Sequence, residues 1–201
     1  MPAARESLLD AAYAALTRRP WSAVRMVDVA VSAGVSRQTL YNEFGSKEGL
    51  ARALVRREAD GYLAGVERAL GSAAEPRDRL TATAEWTTVA ARENVLVRAM
   101  LTGCWTERLP GPPLAPVPSS SAVPAQRRAD GPLPAPADFV RMVRDRAVTV
   151  LAGPGASPAD TAELLRCCEL VVRLALSCVA APPGEGGIAG LVRAVLPRHL
   201  V

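Results

Sequence analysis

Apolar residues recur along this chain at helical spacing, and no stretch alternates with the two-residue period of a strand. Leu9, Ala12, Tyr13 and Leu16 fall on one face of a helix over 5–18. Val29 and Ala30 give a small apolar face to a short helix over 28–33. Leu40 and Phe44 do the same for a second short helix over 37–43. Between these two stands Gly34, where the chain must reverse, because glycine takes a left-handed backbone without steric cost. Val35 turns inward and Ser36 is an N-cap. Ser46 caps a further helix, which Leu50 continues to about Gly71.

Glu75-Pro76 starts the next element, and Leu80, Thr83, Ala84, Thr87, Thr88 and Ala91 set its buried face. Asn94 caps a helix over 95–101 that extends toward Trp105. Phe139, Val140, Val143, Ala147, Val150 and Leu151 mark a helix over 137–151, ended by Gly153 and Gly155. Ser157-Pro158-Ala159-Asp160 is a helix start, with serine cap, proline first and acid third. The helix it opens, to about Ala181, is apolar on more than one face. Leu165, Cys168, Val172, Ala175 and Val179 form one stripe; Leu164, Val171, Leu174 and Cys178 form another. Ile188 to Leu196 is a last amphipathic helix.

The fold class read from this pattern is all-α. Residues 1–46 form a three-helix head, 46–71 a linking helix, and 72–201 a larger helical domain. Within the larger domain, 109–136 is read as a long loop, because it holds nine of the chain's seventeen prolines and three consecutive serines. It is read as a tolerated insertion, with a flap over a ligand entrance as the sharper alternative.

A helix that is apolar on two faces must be covered on both. One cover is its own domain. The other is expected to be the same helix of a second subunit, giving a four-helix homodimer interface through Leu164, Cys168, Val171, Val172, Ala175, Val179, Leu191 and Val195. A helix simply central to its own domain is the rival reading.

Helix, short glycine turn and helix with a polar outer face is the DNA-reading helix-turn-helix arrangement. Its candidate contacts to double-stranded DNA are Arg25, Ser36, Arg37, Gln38, Thr39, Tyr41, Asn42 and Lys47. Arginine pairs with guanine and glutamine or asparagine with adenine on base edges. Arg37 and Gln38 are therefore assigned to bases, and Thr39, Tyr41 and Lys47 to phosphates. Lys47 stands in the first turn of its helix, where backbone N–H groups attract anions. A generic helical hairpin with a solvated polar face is the plain alternative.

Asp28-Val29-Ala30, Ala33-Gly34-Val35-Ser36, Thr39-Leu40-Tyr41, Phe44, Ser46-Lys47-Glu48 and Leu50 together resemble the recognition segment of the tetracycline-repressor (TetR) family of bacterial transcription regulators. The resemblance covers about the first quarter of the chain. It implies a homodimeric regulator, usually a repressor, on a palindromic operator, with a small apolar ligand in the larger domain. Many members place Ser or Thr where Arg25 stands. Arginine cannot cap that way and is expected to reach a phosphate instead. Trp86, Thr87, Met100, Cys104, Trp105, Phe139 and Met142 are the candidate pocket lining, with core packing as the plain reading.

Composition narrows the alternatives. The net charge of +4 is modest, and residues 1–60 hold nine Arg and Lys against seven Asp and Glu. DNA binding therefore has to come from where charges stand. Lys47 is the chain's single lysine and His199 its single histidine, the third residue from the end. No catalytic constellation, phosphate loop or metal-ligand spacing is present, so neither enzyme, cofactor nor metal is expected. Cys104, Cys167, Cys168 and Cys178 read as small buried apolar side chains. The absence of a signal peptide and of an apolar run of about 18 residues predicts a cytoplasmic protein without a membrane role. A helix-turn-helix regulator governed by protein contact or level, without a small ligand, is the alternative function.

Overall fold

The structure, a computed structural model, describes residues 2–111, 134–152 and 155–197. His199, Gly153 and most of the proline-rich stretch lie outside the described residues. Among those described, the chain is all-helical, with no strand. In chain order the helices are α1 (Pro2–Arg18), α2 (Met26–Ser32), α3 (Arg37–Phe44), α4 (Lys47–Leu70), α5 (Pro76–Glu93), α6 (Val95–Thr102), α7 (Pro136–Leu151), α8 (Pro158–Ala180) and α9 (Gly187–Val195). A single 3-10 turn, Trp21–Ala23, precedes α2. No described helix is long and apolar enough to cross a membrane.

The described residues group into two compact units. Residues 2–58 with 105–111 form the first, and 59–104 with 134–152 and 155–197 form the second. The division falls inside α4, and the segment after Cys104 groups with the head.

In the first unit α1, α2 and α3 pack on one another. Leu8, Leu9, Ala12, Val29, Ala30 and Leu40 are each at most 2% exposed. Their helical spacing places them on the inner faces, as apolar periodicity requires. Ion pairs tie the helices at the rim. Arg57 of α4 reaches Asp10 of α1 at 2.6 Å, and Arg5 of α1 reaches Glu43 of α3 at 3.6 Å. The Arg5 guanidinium also lies 4.8 Å above the Phe44 ring. Segment 105–111 joins this unit through the Trp21 N–H, which donates to the Arg108 carbonyl at 2.8 Å.

In the second unit α8 lies between α5 and α7, while α6 packs on α5, α7 and α8, and α9 on α5 and α8. Caps fix the helix starts. Asn94 accepts from the Leu96 and Val97 N–H groups, and Ser157 and Asp160 exchange side-chain and backbone bonds at the start of α8. Four threonines of α5 are buried. Thr81, Thr83, Thr87 and Thr88 each donate to a carbonyl one turn back, so no hydroxyl is stranded there.

Candidate nucleic-acid interface

The turn between α2 and α3 is built by the backbone. Gly34 has φ +67°, the left-handed region its position requires. Its N–H donates to Val31 O, and the Val35 N–H donates to Ala30 O, both at 3.1 Å. This double closure satisfies the last carbonyls of α2 and turns the chain sharply. Ser36 then starts α3, its hydroxyl accepting from the Thr39 N–H at 3.0 Å.

At the other end of α3 a close approach sets the angle to α4. A Cβ on Gly49 would stand 1.9 Å from the Phe44 carbonyl oxygen, so only glycine fits. Ser46 caps α4 by accepting from the Gly49 N–H at 3.1 Å.

With Leu40 and Phe44 buried, α3 turns Arg37, Gln38 and Asn42 fully outward and leaves Thr39 and Tyr41 half-exposed. These side chains are organised among themselves. The Arg37 guanidinium lies 5.4 Å above the Tyr41 ring. Gln38 Nε2 donates to Asn42 Oδ1 at 2.8 Å, and the Ser36 and Thr39 hydroxyls share a bond of 2.8 Å. The i,i+4 spacing of 37 with 41 and of 38 with 42 is the sequence signal for these pairs. Among the described residues, Arg37 has no carboxylate partner.

Arg25 is at the N-cap of α2 and makes no side-chain cap bond. Its Nε and Nη2 donate to the two oxygens of Asp28, each at 3.1 Å. Arg19 reaches the same carboxylate at 3.1 Å. The Arg25 hydrogen bonds, ahead of the nearby positive charges, hold the Asp28 carboxyl below the usual carboxylate range. Arg19 carries no sequence signal for this role, because its partner lies nine residues on.

Lys47 departs from the sequence expectation in its immediate partners. Its ammonium donates to the Ser22 carbonyl at 3.0 Å and lies 5.6 Å over the Trp21 ring. The first turn of α4 is not an open anion site either. Glu48 bonds its own backbone N–H and the Ser46 hydroxyl, which hold its carboxyl below the usual range.

The candidate effector residues are not gathered around one opening. Thr87, Met100 and Phe139 are closed into the second unit, each at most 2% exposed. Thr87 shares a hydroxyl bond of 3.1 Å with Tyr62, whose ring meets Phe139 edge-on at 6.0 Å. Trp86, half-buried, donates to the Tyr62 carbonyl, and Met142 is half-buried. The helix expected to run toward Trp105 stops at Gly103, φ +72°. Cys104 is consequently exposed, which corrects the expectation of a buried thiol, and Trp105 groups with the first unit. The other three cysteines are buried, and burial pushes the Cys168 thiol up to about 12.

Most of the residues expected at a subunit interface are inside the unit. Leu164, Cys168, Val171, Val172, Ala175 and Val179 are each at most 8% exposed in the single chain, where α5 and α7 pack on α8, while Leu165 and Leu174 of the two stripes stay half-exposed. That corrects the sequence reading, which could not see those covers. Leu191 at 41% and Val195 at 46% remain outside, joined by Leu170 at 46%, which the stripe reading did not single out. Among the described residues, no three His, Cys, Asp or Glu side chains cluster as metal ligands.

Comparison with known proteins follows the same division. Residues 8–54 match the family described as "Bacterial regulatory proteins, tetR family". The HTH-type transcriptional regulator AlkX of Mycobacterium tuberculosis is 50% identical over 66 residues, 33% of this chain and 31% of that protein. The HTH-type transcriptional activator FasR of Mycolicibacterium smegmatis is 38% identical over 81 residues, 40% of this chain and 37% of that protein. The chain thus spans well under half the length of these relatives. Over the whole fold, a transcriptional regulator of the TetR/AcrR family from Thermobifida fusca aligns with a TM-score of 0.52 and 17% identity, covering 94% of this chain and 92% of that one. The head, residues 8–54 with the turn at Gly34, is thus similar to the tetR family of bacterial regulatory proteins, and the described residues share the all-helical fold of the solved regulator.

Proposed function

We propose that the protein is a homodimeric, DNA-binding transcriptional regulator that represses from a roughly palindromic operator and resides in the cytoplasm. The observation that carries this reading is α3, held by the Gly34 turn with Arg37, Gln38, Tyr41 and Asn42 on its outer face. An α-helix of this kind fits the major groove, and arginine and amide side chains match guanine and adenine edges there. Two heads in a symmetric dimer read half-sites about one helical turn apart, ~34 Å. Leu170, Leu191 and Val195 are exposed apolar side chains on α8 and α9 that a second subunit could cover.

Arg25 is the leading candidate for a phosphate. Its guanidinium spends Nε and one Nη2 proton on Asp28 and keeps its remaining N–H groups toward solvent. Lys47 forms no ion pair at bonding distance among the described residues, although its charge acts on the Glu48 carboxylate, so it too is available to a phosphate.

A small apolar effector in the second unit is the proposed control. It must prefer the state that does not bind DNA, typically by ~1–3 kcal/mol. The near-complete burial of Thr87, Met100 and Phe139 favours a second reading, a regulator controlled by protein contact or level with no small ligand. No observation supports an enzyme.

The test is selection of bound duplexes from a random pool, followed by a reporter gene behind the selected site. A palindromic consensus and higher reporter output in cells lacking the protein support the reading. Lower output assigns activation in place of repression. Purified protein that is indifferent to every duplex at low ionic strength sinks the reading. Release of the selected duplex by apolar compounds then separates the two modes of control.

A further inference from the structure

We propose that Gln38 and Asn42 act as one reader of an adenine–thymine pair, Asn42 setting the orientation in which the Gln38 amide meets adenine. The inference rests on the DNA-reading function above. Adenine shows the major groove an acceptor, N7, beside a donor, its N6 amino group. A glutamine reads both only when its oxygen and one N–H lie side by side toward the base. An isolated, exposed glutamine samples two amide orientations and several rotamers, of which few present that edge.

Here the choice is made before DNA arrives. Gln38 and Asn42 are both exposed on α3 and four residues apart, so they share one ridge of the helix. The 2.8 Å bond runs from Gln38 Nε2 to Asn42 Oδ1. It uses one of the two Nε2 protons. The second proton and Oε1 remain, which is the donor and acceptor set that adenine requires. Asn42 keeps both Nδ2 protons for a phosphate or a neighbouring base. Arg37 is engaged with Tyr41 on the adjacent ridge and does not compete for either amide. Ordering Gln38 in the free protein removes a cost that base contact would otherwise bear. Asn42 is in this role a positioning residue.

The experiment compares duplex selection by the wild-type protein with Gln38→Ala, Asn42→Ala, Asn42→Asp and the Gln38→Ala/Asn42→Ala double variant. Circular dichroism confirms that each is helical, as surface changes should leave it. The expected result is one A·T position per half-site whose preference falls roughly tenfold or more in Gln38→Ala. Asn42→Ala should weaken that same position, and the double variant should lose no more there than Gln38→Ala alone. Asn42→Asp keeps an acceptor for Gln38, so it should retain the preference while binding every sequence more weakly through its added negative charge. A position left intact by Asn42→Ala, a change confined to another base pair, or equal loss in Asn42→Asp and Asn42→Ala overturns the pairing and leaves the DNA-reading function standing. A wild-type protein that selects no sequence overturns both.

Discussion

Replacing Gly49 by alanine tests how α3 is held for its task. The new methyl would stand 1.9 Å from the Phe44 carbonyl oxygen and 3.1 Å from the Phe44 carbonyl carbon. Both are backbone atoms, so no rotamer change relieves the overlap. The end of α3 must retreat by more than an ångström, and Phe44, 8% exposed, and Leu40, fully buried, must move with it. Overpacking of this kind costs typically ~1–3 kcal/mol. For a chain of this size each kcal/mol lowers Tm by about 2–4 °C, so a loss on the order of 2–12 °C is expected. Binding should suffer beyond the stability loss, because hydrogen bonds to base edges do not survive a displacement of that size. Thermal melting by circular dichroism and anisotropy of a labelled, selected duplex read the two effects. Gly61→Ala is the control, since nothing lies within 4 Å of a Cβ at that exposed position of α4. It should melt at or above the wild type, as alanine in place of helical glycine contributes roughly 0.5–1 kcal/mol. A Gly49→Ala protein that melts with Gly61→Ala and binds as the wild type does would refute the close-approach argument.

Leu191→Arg should split the proposed dimer in sedimentation while leaving the melting of the chain nearly unchanged. Val172→Arg should destabilise the fold itself, because that side chain is only 5% exposed. A dimeric Leu191→Arg protein would move the interface elsewhere. Lys47→Gln should lower the salt slope of DNA binding by roughly one, and an unchanged slope would contradict a phosphate contact. Burial raises the Tyr62 hydroxyl to about 12, against the small opposing effect of its Thr87 bond. A folded pKa above the unfolded value of about 10 gives stability that is complete below pH 10 and is lost as pH rises toward about 12. Denaturant midpoints across that window should fall, and less steeply in Tyr62→Phe; parallel curves would discount the buried hydroxyl.

Helix positions were legible in the sequence because their ends are written in local chemistry. Gly34, Ser36, Asn94 and the Ser157–Asp160 box act on backbone groups a few residues away, and each performs in the structure the local role its residue type predicts. The outward face of α3 followed from the same logic, since burying Leu40 and Phe44 leaves no freedom for the rest. Long-range placement was not legible. Two apolar stripes on α8 require two covers, but periodicity does not say whose they are, and α5 and α7 bury most of both, leaving Leu165 and Leu174 half-exposed. The run of apolar residues after Asn94 gave a helix over 95–101, which the structure extends by one residue, but its extension toward Trp105 is cut by Gly103, which sets Cys104 outside. Lys47 was read from the amine and the helix end beside it. Trp21, its actual neighbour, lies 26 positions earlier in the chain.

The contact between Lys47 and Trp21 also gives this protein a built-in optical handle. Since the chain has one ε-amine, a succinimidyl dye directed at lysine side chains attaches within the head and against an indole. Quenching of that dye by the ring would then follow melting of the head alone, without any cysteine having to be introduced or removed.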